Sequence, residues 1–177
     1  MRAAIILAKG NEEGETVFLA DLLRRGGMEC DLVSLDDLYV EGMHGIVVRA
    51  DKILQNELCA YDVLVLPGGS PAGAIIRADN RIRKIILDFD CNQKYLAGIC
   101  FGVLALYEAG VLKNKKVTGY RGYENKMPEA NFVGGKAVSD GNIITGRSPG
   151  TVYEFAFEIL KTTGFDITAL KESLMYD

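Results

Sequence analysis

The run Tyr95-Leu96-Ala97-Gly98-Ile99-Cys100-Phe101-Gly102 constrains this chain most, because it sets a thiol between two glycines where an apolar strand gives way to a helix. A strand that turns sharply into a helix brings backbone against backbone, so small residues must flank a nucleophile exposed at the top of the sheet. Gly-x-Cys-x-Gly is that nucleophile elbow with cysteine as the reactive residue. The helix expected from Phe101 to Leu112, with its stop at Ala109-Gly110, aims its first-turn amides and positive dipole end at Cys100. That arrangement predicts a thiol partly ionised near neutral pH. Most free cysteines are small core hydrophobes. The two glycines and the strand-to-helix context favour the reactive reading here.

The rest of the sequence repeats the α/β rhythm. Strands are expected over Arg2–Ala8, Glu29–Leu35, Gly45–Ala50, Tyr61–Leu66 and Tyr95–Ile99, with helices over Glu15–Arg25, Pro71–Arg77 and Asn80–Asn92. Ile82, Ile85, Ile86 and Phe89 give the Asn80–Asn92 helix one apolar face. Lys116–Thr118 reads as a short strand, and Lys136–Thr145 as a hairpin turned by Asp140-Gly141. A last helix follows Pro149-Gly150, carries Val152, Phe155, Ala156, Ile159 and Leu160 inward, and stops at Gly164. Strands this uniformly apolar belong to a sheet covered on both faces. The expected fold is therefore α/β: a flavodoxin-like, doubly wound, mainly parallel sheet with helices on both faces and a late β-hairpin. The chain shows no repeat or linker, and 177 residues suit one domain spanning 1–177.

Composition removes several function classes. A net charge of −4 with scattered Lys and Arg gives no electrostatic footprint for nucleic acid. The apolar run Ala3–Ala8 meets Lys9-Gly10-Asn11-Glu12-Glu13 at once, too soon for a signal peptide or a membrane span, so the expected location is the cytoplasm with no membrane contact. Cys30, Cys59, Cys91 and Cys100 lack C-x-x-C spacing, and the single histidine, His44, has no neighbouring thiol, so no metal site is expected. The first three cysteines read as structural.

In a doubly wound sheet, loops at the carboxyl ends of the strands converge on one crevice. Three such loops matter: Lys9–Glu15, Pro67-Gly68-Gly69-Ser70 and the Cys100 elbow. The Gly68 and Gly69 amides, with the Phe101 amide after the thiol, would form an oxyanion site, although Gly-Gly by itself is also a plain turn. Glu15 opens a helix, where the dipole favours a carboxylate for capping alone.

With those segments in place, the chain resembles the DJ-one branch of the ThiJ/PfpI family. The matching runs are Ala8–Thr16, Val65–Gly69, Ala97–Cys100, Lys116–Thr118 and Arg147–Thr151, in order over nearly the whole chain. The resemblance implies a flavodoxin-like homodimer with an oxidation-sensitive elbow cysteine. It gives Cys100 the nucleophile's role and Glu15 that of a protonated partner hydrogen-bonded to the sulfur. It also makes Gly68 and Gly69 backbone donors. Beside a thiolate, a carboxyl keeps its proton because a second negative charge is disfavoured.

One position departs from the family. Members with a proposed catalytic histidine carry it just after the Val-Thr strand, where this chain has Tyr120. A tyrosine is a poor base near neutral pH but a usable donor. His44 is a lone loop histidine that would have to substitute from elsewhere or across a dimer. Arg25, Arg147 and Pro149 match family residues near the crevice or the subunit contact. Peptidase and glutamine amidotransferase readings are disfavoured, since Phe101 follows the cysteine and no histidine comes after it.

Two functions follow from the resemblance. One is a cofactor-independent enzyme acting on a small reactive carbonyl or a glycated protein, glyoxalase- or deglycase-like. The other is an oxidative-stress sensor or chaperone that works through oxidation of Cys100.

Overall fold

The computed structural model describes residues 1–55 and 58–176. In chain order the elements are β1 (Arg2–Leu7), α1 (Glu13–Arg25), β2 (Glu29–Ser34), β3 (Tyr39–Glu41), β4 (Val47–Arg49), β5 (Lys52–Ile53) and β6 (Val63–Leu66). There follow α2 (Ser70–Ala78), α3 (Asn80–Cys91), β7 (Tyr95–Ile99), α4 (Gly102–Glu108), β8 (Lys116–Val117) and β9 (Asn131–Phe132). The chain closes with β10 (Ala137–Asp140), β11 (Ile143–Gly146), α5 (Val152–Thr162) and α6 (Thr168–Ser173).

The main sheet has seven strands in the order β10-β11-β7-β6-β1-β2-β5. Every pairing in it is parallel except that of β10 with β11. Successive residues of a strand face opposite sides, and the sequence fills both sides with apolar groups. Ala3, Ile5, Leu7, Val63 and Val65 pack with side chains of α1 and α5, while Ala4, Ile6, Leu64 and Leu66 pack with those of α2, α3 and α4. The expected doubly wound architecture is therefore present. After β2 and β5 the chain returns to the other side of β1 to enter β6. The order of winding reverses there, so a crevice opens beyond the carboxyl ends of β1 and β6.

Four sequence expectations change. Gly45–Ala50 is not a strand of the main sheet: Val47–Arg49 pairs antiparallel with Tyr39–Glu41 in a separate ribbon. That ribbon is tied to the start of α1, where the buried Glu13 carboxylate accepts the amides of His44 at 2.7 Å and Ile46 at 3.3 Å. The Lys116–Thr118 strand likewise leaves the sheet, since Lys116–Val117 pairs with Asn131–Phe132. Helix α1 begins two residues earlier than expected because Glu12, not Glu15, caps it, accepting the Glu15 amide at 2.6 Å. Cys30 is buried, but Cys59 and Cys91 lie at the surface rather than in the core. Among the described residues no helix is long and apolar enough to cross a membrane.

Candidate active site

The elbow has the steric logic that its sequence implies. Cys100 adopts a positive φ of 55°, a strained conformation for a residue with a side chain, and it ends β7 by donating its amide to the Gly146 carbonyl at 3.1 Å. Gly102 then starts α4 directly beneath the end of β6, where a Cβ would be driven into the Leu66 carbonyl oxygen. A Cβ on Gly98 would lie 3.1 Å from Leu106 and 3.2 Å from the backbone of Gly102. Gly102 is required by close backbone approach, while Gly98 sits in a tight but more yielding contact.

Glu15 reaches the thiol because it sits on the inner face of α1, with Leu19 and Leu22 at helical spacing below it. Its Oε2 accepts the Gly68 amide at 2.5 Å, and its carboxyl lies beside the Cys100 thiol, so that each raises or lowers the other's ionisation. Gly68 has to be glycine because a Cβ there would lie 2.7 Å from Oε2 and 3.1 Å from the Cys100 sulfur. Gly69, at a φ of 104°, presses against Gly10 and the Glu12 amide and so closes the β1 and β6 loops on each other. The structure thus brings Cys100, Glu15 and Gly68 into one buried cluster at the crevice. The Phe101 amide is hydrogen-bonded to the sulfur.

Burial dominates the electrostatics of the pair. Burial is the main cause that pushes the Glu15 carboxyl up to about 8, with the nearby Glu12 charge adding to it against the Gly68 hydrogen bond. Burial and the Glu15 carboxylate together push the Cys100 thiol well above its usual range, and the Phe101 amide does not offset them. With Cys100 only 5% exposed, loss of water around the thiol works against the N-terminal dipole of the seven-residue α4. The donor set is also smaller than expected, since the Gly68 amide is already engaged by Glu15.

The secondary candidates separate. Tyr120 is 45% exposed and belongs to an aromatic cluster with Phe101 and Tyr123. His44 places Nδ1 at 2.9 Å from Glu13, so its ring helps to dock the ribbon. Arg25 forms an ion pair with Asp21 on α1 at 2.7 Å. Arg147 is exposed and anchored through its amide to the Lys136 carbonyl at 3.0 Å, and Pro149 opens the short turn before α5. Sequence reasoning did not pick out Tyr123. It lies in the irregular segment after β8, and only its inward placement distinguishes it.

Among the described residues one group could present several metal ligands: Glu12, Glu13 and His44, whose ligand atoms lie within 4.8 Å of one another. Its lone pairs already serve the protein. Glu13 receives His44 and Ile46, and Glu12 caps α1. Hydrogen bonds from its own amide and from His44 and Ile46 overcome burial and hold the Glu13 carboxyl down at about 2.

The chain that carries this buried cysteine and raised carboxyl is similar, over most of its length, to known proteins. The profile of the DJ-1/PfpI family matches residues 1–162, and the chain belongs to that family. The zebrafish Parkinson disease protein 7 homolog is 32% identical, over 90% of this chain and 88% of its own length. A protein of Pyrococcus abyssi named as a deglycase is 31% identical, over 91% of this chain and 98% of its own. The Arabidopsis DJ-1 homolog A is 33% identical over 89% of this chain, which spans only 41% of that longer protein. Among solved structures, Drosophila DJ-1beta superposes with a TM-score of 0.91 at 28% identity, covering 99% of this chain and 98% of that one. A Toxoplasma gondii DJ-1 named as oxidized gives 0.92 at 25% identity, again covering 99% and 98%.

Proposed function

We propose that the protein converts small 2-oxoaldehydes such as methylglyoxal and glyoxal into hydroxy acids through a covalent adduct on Cys100, and removes early aldehyde adducts from proteins by the same attack. The reading rests on one observation: a buried thiol beside a buried carboxyl whose pKa, pushed up to about 8, lets it both give and take a proton near neutral pH. The names of the Pyrococcus relatives, as deglycases, support it. No metal or organic cofactor enters the scheme.

With Glu15 in its ionised form, the sulfur adds to the aldehyde carbon, and the thiol proton passes to the Glu15 carboxylate as the S–C bond forms. The C=O pair moves onto oxygen, which takes that proton back to give a hemithioacetal. Glu15 then removes the hydrogen from the former aldehyde carbon as a proton, leaving an enediolate with its charge on the neighbouring oxygen. It returns that proton to the neighbouring carbon, while the hemithioacetal hydroxyl passes its own proton to the neighbouring oxygen and becomes the carbonyl of a thioester. Water cleaves the C–S bond, and the thiol regains its proton as the hydroxy acid leaves. One carbon is oxidised as its neighbour is reduced, so no external electron carrier is needed.

We also place the protein in a homodimer. Val17 and Phe18 on α1 and Met43, Ile46 and Val47 on the ribbon leave apolar side chains at the surface, and a second copy would cover them. A second functional reading, in which Cys100 is oxidised as a stress signal or chaperone switch, draws on the same thiol and on the oxidized Toxoplasma relative.

The two functional readings are separated by methylglyoxal consumption with lactate formation. Wild type should turn over, and Cys100→Ser should fall to background, a loss of at least about 100-fold. Equal background-level loss in both proteins would remove the carbonyl reading.

A further inference from the structure

Tyr123 is 3% exposed, yet its hydroxyl has no hydrogen-bond partner among the described residues. A buried polar group left unpaired is costly and calls for an explanation. The ring is fixed rather than loose. It stands edge-on against Phe101 at 5.5 Å between centroids, packs on Tyr120 at 5.9 Å, and carries the Lys126 ammonium 4.9 Å from its centre. Phe101 is the residue immediately after the nucleophile, so the packing that holds Tyr123 is continuous with the elbow. The phenol's ionisation is suppressed first by burial and next by Cys100, with Tyr120 and Glu15 adding to that and Arg77 opposing it. The hydroxyl therefore stays a neutral donor and lies within the electrostatic reach of the thiol.

The site also has fewer donors than the sequence offered: of the three expected amides, that of Gly68 is engaged by Glu15, which leaves those of Gly69 and Phe101. We propose that the buried Tyr123 hydroxyl is a catalytic hydrogen-bond donor of this site, taking the oxygen that forms next to the Cys100 sulfur when a carbonyl adds to it. The proposal rests on the functional reading above. It assigns to Tyr123 the donor role that position in the sequence suggested for Tyr120, whose ring is exposed and whose hydroxyl is free to meet water. During the reaction the phenol keeps its proton and only shares it with the adduct oxygen, so the steps already described are unchanged.

The test compares Tyr123→Phe with Tyr120→Phe and wild type. Removing an unpartnered buried hydroxyl leaves the melting temperature equal or higher. It also leaves the rate of Cys100 alkylation by iodoacetamide unchanged, read on the Cys100 peptide so that surface Cys59 and Cys91 do not contribute. With methylglyoxal, kcat should fall about 10- to 100-fold while KM stays within about twofold. Tyr120→Phe should keep wild-type kcat. Unchanged kcat in Tyr123→Phe overturns the proposal, as does a loss of kcat matched by equal losses in alkylation rate and melting temperature, which would mark a structural role.

If wild type shows no Cys100-dependent turnover, the carbonyl reading fails separately, and hydrogen peroxide becomes the probe. Each peroxide transfers one oxygen to sulfur and leaves as water. Faster passage from sulfinate to sulfonate in Tyr123→Phe would then support the hydroxyl as a donor to sulfur-bound oxygen. Identical oxidation courses would overturn it.

Discussion

Glu15→Gln is expected to be more stable than wild type at pH 8 and nearly devoid of carbonyl turnover. The Glu15 carboxyl is raised from 4.5 to about 8 in the folded protein, first by burial. Between those pH values the folded chain keeps a proton that the unfolded chain has released. The stability contributed by the protonated carboxyl is therefore fully present below about pH 4.5 and drains away as pH rises through about 8, at roughly 1.4 kcal/mol per pH unit. Glutamine has no proton to release and escapes that loss. Urea denaturation at pH 5, 6.5 and 8 should show the smallest difference at pH 5 and a gap of several kcal/mol, on the order of a third of a typical domain's stability, at pH 8. Parallel stability curves would mean that Glu15 does not hold its proton in the fold.

The same substitution removes the group that moves protons. Wild-type turnover should climb with pH towards a plateau above about 8, as Glu15 becomes available as a base. Glu15→Gln should be at least about 100-fold slower and lack that rise. A variant that gains stability while losing activity indicates a residue kept for chemistry at a cost to the fold.

Gly102→Ala should have the largest effect on folding. A Cβ at this position meets the Leu66 carbonyl oxygen far inside contact distance, and lies 2.7 Å from the Leu66 carbonyl carbon and 2.9 Å from the Pro67 oxygen. These atoms are backbone at the end of a central strand and cannot swing aside as a side chain would. The cost is at least about 3 kcal/mol, at or beyond the upper end of ordinary overpacking. Gly98→Ala should cost less, because its closest neighbour is the end of the flexible Leu106 side chain at 3.1 Å. Denaturation midpoints measure both. A wild-type midpoint for Gly102→Ala would contradict the close approach of α4 to β6.

These two cases show why some features were readable in the sequence and others were not. The elbow was legible because its constraint is steric and local, and glycines at fixed offsets from Cys100 record it directly. The two-sided sheet was legible because β1, β6 and β7 are apolar at nearly every position, and the β10–β11 hairpin because Asp140-Gly141 marks its turn. Strands β5 and β9 have two residues each and α6 has six, too few for any period to register. The β3–β4 ribbon looked like a sheet strand because its alternation is that of a strand. What removes it from the main sheet is a hydrogen-bonding carboxylate 31 residues away.

At the site, position alone made Glu15 a helix-opening charge. Its spacing from Leu19 and Leu22 held the contrary signal, a carboxylate on the buried stripe of α1. For Cys100 the helix dipole can be read from sequence order, whereas the desolvation that opposes it depends on tertiary packing and cannot. Tyr123 left no sequence mark, since a buried loop tyrosine has no periodicity to betray it.

The most direct test of the account is to trap the intermediate. Wild-type protein mixed with methylglyoxal, quenched in acid on the timescale of one turnover and digested, should carry a lactoyl thioester on the Cys100 peptide that forms and decays at the rate of lactate release. It should be missing from Cys100→Ser and should fail to accumulate in Glu15→Gln. A wild type that releases lactate with no adduct on Cys100, or with adducts only on lysines and arginines, would contradict covalent catalysis by the Cys100–Glu15 pair.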